Sequence, residues 1–264
     1  MIKRVVIGAG IAAAGWATYM SITRWRATWG VVDEEALKAL PGDDLVANAL
    51  STDTRGITIE APPELVWPWL VQMGYERGGW YSIDQLDMRG SSATTIVDAW
   101  QGLAVGDILP THPGGGFVVR ELDPGRALVV YADGTTMQPS NAAAPADVPA
   151  GLAASGAFLS TTPSDFAASW AFGLEPIGTS GTRLIERVRY LGAQGNAVSN
   201  VALSFLGFGV FVMIQRQLIG IRDRAERLAI ERSRPAAAPA SPQPATGNGH
   251  EPDLAGTVIS AGPA

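Results

Sequence analysis

The chain has 264 residues, 47% of them hydrophobic and 17% charged, with no cysteine and only two histidines, His112 and His250. That is enough for one core-bearing domain with appendages and too apolar for wholesale disorder. It excludes disulfides, thiolate metal sites, iron–sulfur clusters and cysteine nucleophiles, and leaves no basis for a histidine-rich metal site. The net charge of −6 is partitioned: residues 1–26 carry four bases and no acid, residues 27–215 nine bases and twenty acids, and residues 216–234 six arginines and three acids. An acidic body argues against a nucleic-acid partner, and basic ends beside apolar runs suit a membrane surface.

The run from Val5 to Ile22 is uncharged and flanked by Lys3 and Arg4 before and Arg24 and Arg26 after. As a helix its eighteen residues would reach roughly 27 Å, close to the hydrocarbon thickness of a bilayer. Trp16, Tyr19 and Trp25 fall where an interfacial aromatic belt would sit. Gly8-Ala9-Gly10-Ile11-Ala12-Ala13 also fits a dinucleotide-binding fingerprint, with Asp33 and Glu34 downstream. That reading needs a second strand before the acid, and residues 23–30 make a poor one. A cleaved signal peptide fits less well, because the run is long for that role and no clean A-x-A site follows. Residues 1–26 are therefore read as an uncleaved single-pass membrane anchor, of undetermined orientation, and residues 27–56 as a lead-in segment.

In the lead-in, a short helix at residues 34–40 runs into a turn at Pro41-Gly42-Asp43-Asp44. Residues 57–59 alternate as a strand. Pro63 opens a helix over residues 64–73, where its missing N–H costs nothing, with Val66, Trp67, Leu70 and Val71 as the apolar face. Pro68 should kink or shorten it. From residue 106 the period changes to two, giving strands at residues 107–111, 116–122, 127–132, 166–174 and 182–190. Asp123-Pro124-Gly125 and Gly178-Thr179-Ser180-Gly181 are tight turns, so the strands form an antiparallel meander. Residues 133–164 read as a low-complexity insertion, a lid or a plain loop.

Residues 197–228 contain no proline and read as one long helix. Its first half is apolar on every side and its second half is charged at near-helical spacing. The charge-free stretch 197–215 is long enough to be a second span, although Asn200, Ser204, Gly207 and Gly209 weaken it. From Pro235 to the end, the Pro/Ala/Ser composition cannot build a core, so residues 235–264 are expected to be disordered.

Several phrases carry a family resemblance. Ala61-Pro62-Pro63-Glu64-Leu65-Val66-Trp67-Pro68-Trp69-Leu70-Val71-Gln72-Met73-Gly74 resembles the first helix of the START-like SRPBCC superfamily. Gly78-Gly79-Trp80-Tyr81-Ser82, Val105-Gly106-Asp107, Glu121-Leu122-Asp123-Pro124-Gly125-Arg126, Trp170-Ala171-Phe172 and Thr182-Arg183-Leu184-Ile185 resemble later parts of a bacterial, membrane-associated branch of polyketide cyclase/dehydrase and lipid-transport type. The resemblance implies an α+β helix-grip fold over residues 57–234, a curved antiparallel sheet around a long C-terminal helix. It implies no one function, since members range from ligand carriers to cyclases.

No nucleophile elbow, P-loop or H-E-x-x-H is present. Strand alternation puts Leu184, Glu186, Val188 and Tyr190 on one face of the last strand and Arg183, Ile185, Arg187 and Arg189 on the other. The first face should line the concave side. Glu186 there is either an acid or base with a raised pKa or half of a structural ion pair with Arg120 or Arg77. Asp84 and Asp87 are either paired carboxylates or capping residues. Trp80, Tyr81, Trp170 and Phe172 either wall a pocket or fill a core, and Trp67 is expected to be buried with Trp80, Trp170 and Phe172. The ligand-contacting set is read as Trp80, Tyr81, Trp170, Phe172, Leu184, Glu186 and Tyr190, with no cofactor and no metal. The first functional reading is a membrane-anchored domain that binds an apolar small molecule or lipid between sheet and C-terminal helix. The alternatives are a cyclase- or dehydratase-type enzyme using Glu186 or Asp84 with Tyr81, and a membrane-associated scaffold without a ligand.

Overall fold

The computed structural model describes residues 2–87, 90–112, 115–136, 166–191 and 197–234. The insertion, from residue 137 on, and the tail at 235–264 lie outside the described residues. In chain order the elements are α1 (Ile2–Ala27), α2 (Asp33–Leu37), β1 (Ser51–Ile59), α3 (Pro63–Val71), α4 (Asp84–Asp87), β2 (Ile108–His112), β3 (Gly115–Asp123), β4 (Ala127–Asp133), β5 (Ala167–Ile177), β6 (Gly181–Leu191) and α5 (Ala197–Ser233). The strands form one antiparallel sheet in the order β1-β6-β5-β4-β3-β2. Helices α3 and α5 cover one face, which is the helix-grip arrangement expected from the sequence.

Strand ends differ from expectation by three residues at most, except in β1, which has nine residues rather than three. Thr52, Thr54 and Thr58 supply β-branched side chains along its length. Its pairing with β6 runs from Ser51 opposite Tyr190 to Ile59 opposite Thr182. Helix α3 ends at Val71, earlier than expected, with Gln72 as its C-cap and Gly74, at φ +126, turning the chain away. Its buried residues are Leu65, Val66, Trp69, Leu70 and Val71. Trp69, not Trp67, is therefore the core tryptophan of this helix, and Trp67 stays half-buried. The reason is that α3 sits between α5 and strands β5 and β6, which cover it on more than one side.

On the concave face the core joins Ile57, Ile59, Leu184, Phe172 and Leu128 of the sheet to Ile214, Leu218, Ile221 and Ala225 of α5. With Phe211, these α5 residues recur every three or four positions and make a buried stripe. Gly220 lets the helix approach the loop after α3, since a Cβ there would stand 2.1 Å from the Tyr81 carbonyl oxygen. Phe208 and Val210 stay exposed, so the described part of the first half of α5 is covered on one side only. Trp25 of α1 packs edge-on against Phe211 at 5.1 Å.

The convex face is covered by the lead-in segment. Gly42, at φ +83, lies so close to Val129 that a Cβ would meet its methyl group at 2.3 Å. Three arginines of β6 hold the segment in place. Arg183 pairs with Glu35 at 2.7 Å, Arg187 with Asp43 at 2.7 Å, and Arg189 donates to the Val46 carbonyl at 3.2 Å.

The side chains of residues 2–9, 11–12 and 197–206, which make up much of the two expected spans at residues 5–22 and 197–215, lie outside the described residues. Among the described residues, no helix is long and apolar enough to cross a membrane.

Candidate functional site

The alternation of the sheet builds the site. Glu186 stands between Arg55 of β1 and Phe172 of β5, and the next rung places Val188 between Asp53 and Trp170. All six side chains share the concave face by their even spacing along each strand. Trp80 arrives from the loop after α3 and stacks on Trp170, with centroids 5.4 Å apart and planes 18° apart. Phe117 meets the Trp170 ring edge-on at 5.7 Å, and Phe172 lies 5.0 Å from it. The loop is set by Gly79, at φ +83, where a Cβ would stand 2.3 Å from Ser92 Oγ. Ser92 Oγ accepts from the Tyr81 N–H at 3.1 Å, and the Ser92 N–H donates to Asp84 Oδ2 at 2.9 Å.

Glu186 is fully buried at the base of this aromatic wall. The Trp170 indole N–H donates to its Oε1 at 2.6 Å, and its Oε2 has no hydrogen-bond partner. Burial pushes its pKa up to about 7, and the Arg55 guanidinium opposes that shift only in part. Arg55 is itself committed elsewhere. It pairs with Asp53 Oδ2 at 2.6 Å, donates to the Arg26 carbonyl at 2.9 Å, and lies 5.7 Å from the Phe211 ring. The wall above Glu186 is not closed, for Phe117, Trp170 and Val188 are each only half-buried.

Of the residues singled out in the sequence, the structure brings together Trp80, Trp170, Phe172 and Glu186. It separates the others. Tyr81 has a left-handed backbone at φ +58, donates its hydroxyl to the Trp69 carbonyl at 3.1 Å, and packs its ring under Arg224 at 4.6 Å. Burial holds its phenol well above the usual range. Leu184 is core, and Tyr190 is exposed near the end of β6. Asp84 ties down the loop through Ser92, and Asp87 accepts from Ser82 Oγ. Burial raises the Asp87 pKa to about 6. Neither expected ion-pair partner of Glu186 is in place. Arg120 lies over the Tyr131 ring, and Arg77 donates to the Val71 and Trp100 carbonyls. Among the described residues, no three His, Asp or Glu side chains are grouped to hold a metal.

Arg55, Asp53 and Phe117 belong to the site and were not anticipated. For the first two a signal existed: carrying the alternation of Ile57 and Ile59 back by two residues at a time reaches Arg55 and Asp53. An open cleft of about 500 Å³ lies elsewhere, between the start of α3 and the β3–β4 and β5–β6 turns. Trp67, Glu64 and Arg126 line it, and none of the Glu186 cluster does.

No family model and no curated protein matches the chain. Solved structures that are similar include the Polyketide_cyc-like protein of Corynebacterium glutamicum, at 16% identity over 69% of this chain and 93% of that one, with a TM-score of 0.37. CalU16 of Micromonospora echinospora is similar at 14% identity over 68% of this chain and 86% of that one, with a TM-score of 0.30. The Zhui aromatase/cyclase of Streptomyces sp. R1128 is similar at 14% identity over 68% and 95%, with a TM-score of 0.29. Likenesses this distant transfer no residue role and no activity to this chain.

Proposed function

We propose that this protein binds an apolar small molecule or lipid on the concave face of its sheet, against the wall formed by Trp80, Trp170, Phe117 and Phe172. The observation that carries the reading is the half-exposure of Phe117, Trp170 and Val188 beside a fully buried carboxyl group. Aromatic side chains left partly uncovered on the inner face of a fold stand to gain by burial against a ligand. The cyclase alternative receives no such support, because the Tyr81 hydroxyl is engaged by Trp69 and not by Glu186.

The test is native mass spectrometry of the full chain purified in mild detergent, with organic extraction of the same sample. A co-purifying apolar molecule that is lost from the Trp170→Ala variant is the expected result. A ligand-free protein that also fails to take up an added naphthalene probe would overturn the reading.

We infer further that the protein rests on a lipid surface through α1 and the neighbouring part of α5. Trp16, Tyr19, Met20, Ile22 and Trp25 of α1 and Phe208 and Val210 of α5 are exposed, and residues 1–26 include bases but no acids. Such a combination favours anionic headgroups. Co-sedimentation of the full chain with anionic vesicles, weakened by salt and by replacing Trp16 and Met20 with serine, is the expected outcome. Equal recovery without vesicles would refute it.

A further inference from the structure

The open cleft of about 500 Å³ at the start of α3 lies apart from the aromatic wall and is built of different chemistry. Its volume is that of a small-molecule site. Pro62 and Pro63 supply one side, and Pro124 and Pro176 come from the two turns. A proline ring has a fixed φ and no N–H, so this wall is stiff, apolar and short of hydrogen-bond donors. Trp67 packs part of its indole against the core and lines the cleft with the rest.

Two opposite charges complete the lining. Glu64 stands three residues before Trp67 on α3, hence on the same face of the helix. Arg126 comes from the β3–β4 turn. Both are exposed, and among the described residues neither side chain forms a hydrogen bond or ion pair, with the other or with a third group. Glu175, next to Pro176, is not available to Arg126, because Lys38 takes it.

This charge pattern selects the occupant. An anion alone would meet Glu64 as well as Arg126, and a cation alone the reverse. A molecule carrying both charges is favoured at both ends, and the proline rings favour an apolar spacer. The cation belongs at Trp67 and Glu64, since an indole face and a carboxylate together attract an ammonium, above all a methylated one. The anion belongs at Arg126, whose planar fork matches a carboxylate. The cleft begins two residues after Glu60, whose N–H donates to Glu226 near the end of α5, whereas the exposed Phe208 lies near the start of that helix. A free solute therefore suits the cleft better than a lipid headgroup.

We propose that this cleft is a second binding site, separate from the concave face, for a small zwitterionic solute in which a methylated ammonium and a carboxylate are joined by a short apolar spacer. Trp67 and Glu64 hold the cation and Arg126 holds the carboxylate.

The experiment is isothermal titration calorimetry of the full chain with trimethylammonio carboxylates of increasing methylene count, beside the alkyltrimethylammonium and the alkyl carboxylate of matching length. Affinity for the zwitterions should pass through a maximum at one length and there exceed each single-ended probe about fivefold, the value of one exposed ion pair or cation–π contact. Arg126→Gln should bring the zwitterion down to the alkyltrimethylammonium, and Glu64→Gln should bring it toward the alkyl carboxylate. Trp67→Leu should abolish the advantage of a methylated over an unmethylated ammonium. Neither charge substitution should alter uptake of the naphthalene probe at the concave face, so failure of one site is told from failure of the other. Affinity that rises steadily with chain length, zwitterions that bind no better than single-ended probes, or a preference that survives in both charge variants would overturn the proposal. Absence of binding by every probe would overturn it as well.

Discussion

Glu186 and Arg187 are neighbours on β6, both buried, and they point to opposite faces of the sheet. On the convex side every donor of Arg187 is used. Its Nε donates to Thr54 Oγ1, one terminal nitrogen to the Lys38 carbonyl and Asp43, and the other to the Glu35 and Ala36 carbonyls. Five N–H groups meet five acceptors, the full capacity of a guanidinium. On the concave side Glu186 has one donor for two oxygens. A buried charge with a complete shell is a fastening, and here it pins the lead-in segment to the sheet. A buried acid with an incomplete shell fastens nothing and carries the cost of an unsatisfied acceptor.

The largest effect should come from breaking the complete shell. Arg187→Met removes the buried partner of Asp43 and the donor to three carbonyls, and is expected to destabilise the chain by about 3–5 kcal/mol. Hydrogen exchange at residues 35–46 should rise before the sheet opens, and unchanged protection there would deny the fastening role.

Glu186→Gln should behave in the opposite sense. In the fold Glu186 keeps its proton up to about pH 7, and an exposed Glu loses it near 4.5. Between those values the folded state binds more protons than the unfolded chain, so stability falls as pH rises and levels off above about 7. Asp87, raised to about 6, adds a loss of the same sign that is complete at a lower pH. Removing the charge should therefore stabilise by about 2–3 kcal/mol at pH 8 and by much less at pH 5. Urea unfolding at the two pH values reads this directly, and an equal effect at both would contradict it.

Trp170→Phe deletes the single donor to Glu186 and keeps most of the ring. A cost of about 2 kcal/mol at pH 8 is expected, with a smaller cost at pH 5 where the acceptor is neutral. The smallest effect should come from Thr54→Val, which removes one of the five acceptors of Arg187. Thermal melts should show a loss of about 1 kcal/mol with no pH dependence between 5 and 8.

Much of the fold was legible along the chain. The change to a two-residue period after residue 106, the proline-opened α3 and the long uninterrupted C-terminal run each rest on local sequence rules, and β2 to β6, α3 and α5 lie close to where those rules put them. The alternation of β6 likewise separated Glu186 from the three arginines, because side-chain direction in a strand depends only on residue parity. What could not be read was which partners each face would meet. Arg55 opposite Glu186 depends on the register of β1, and that register joins residues 131 positions apart. Trp69 rather than Trp67 in the core depends on α3 being covered by both α5 and the sheet, which no pattern within nine residues specifies. Trp80 and Tyr81 are adjacent in sequence, yet one stacks on Trp170 and the other turns to Trp69 and Arg224. Local sequence thus determined the elements and their faces, since these follow from backbone geometry and hydrophobic period. Only the tertiary structure decided that Arg187 is complete and Glu186 is not, because satisfying a buried charge depends on what long-range packing brings within hydrogen-bond reach.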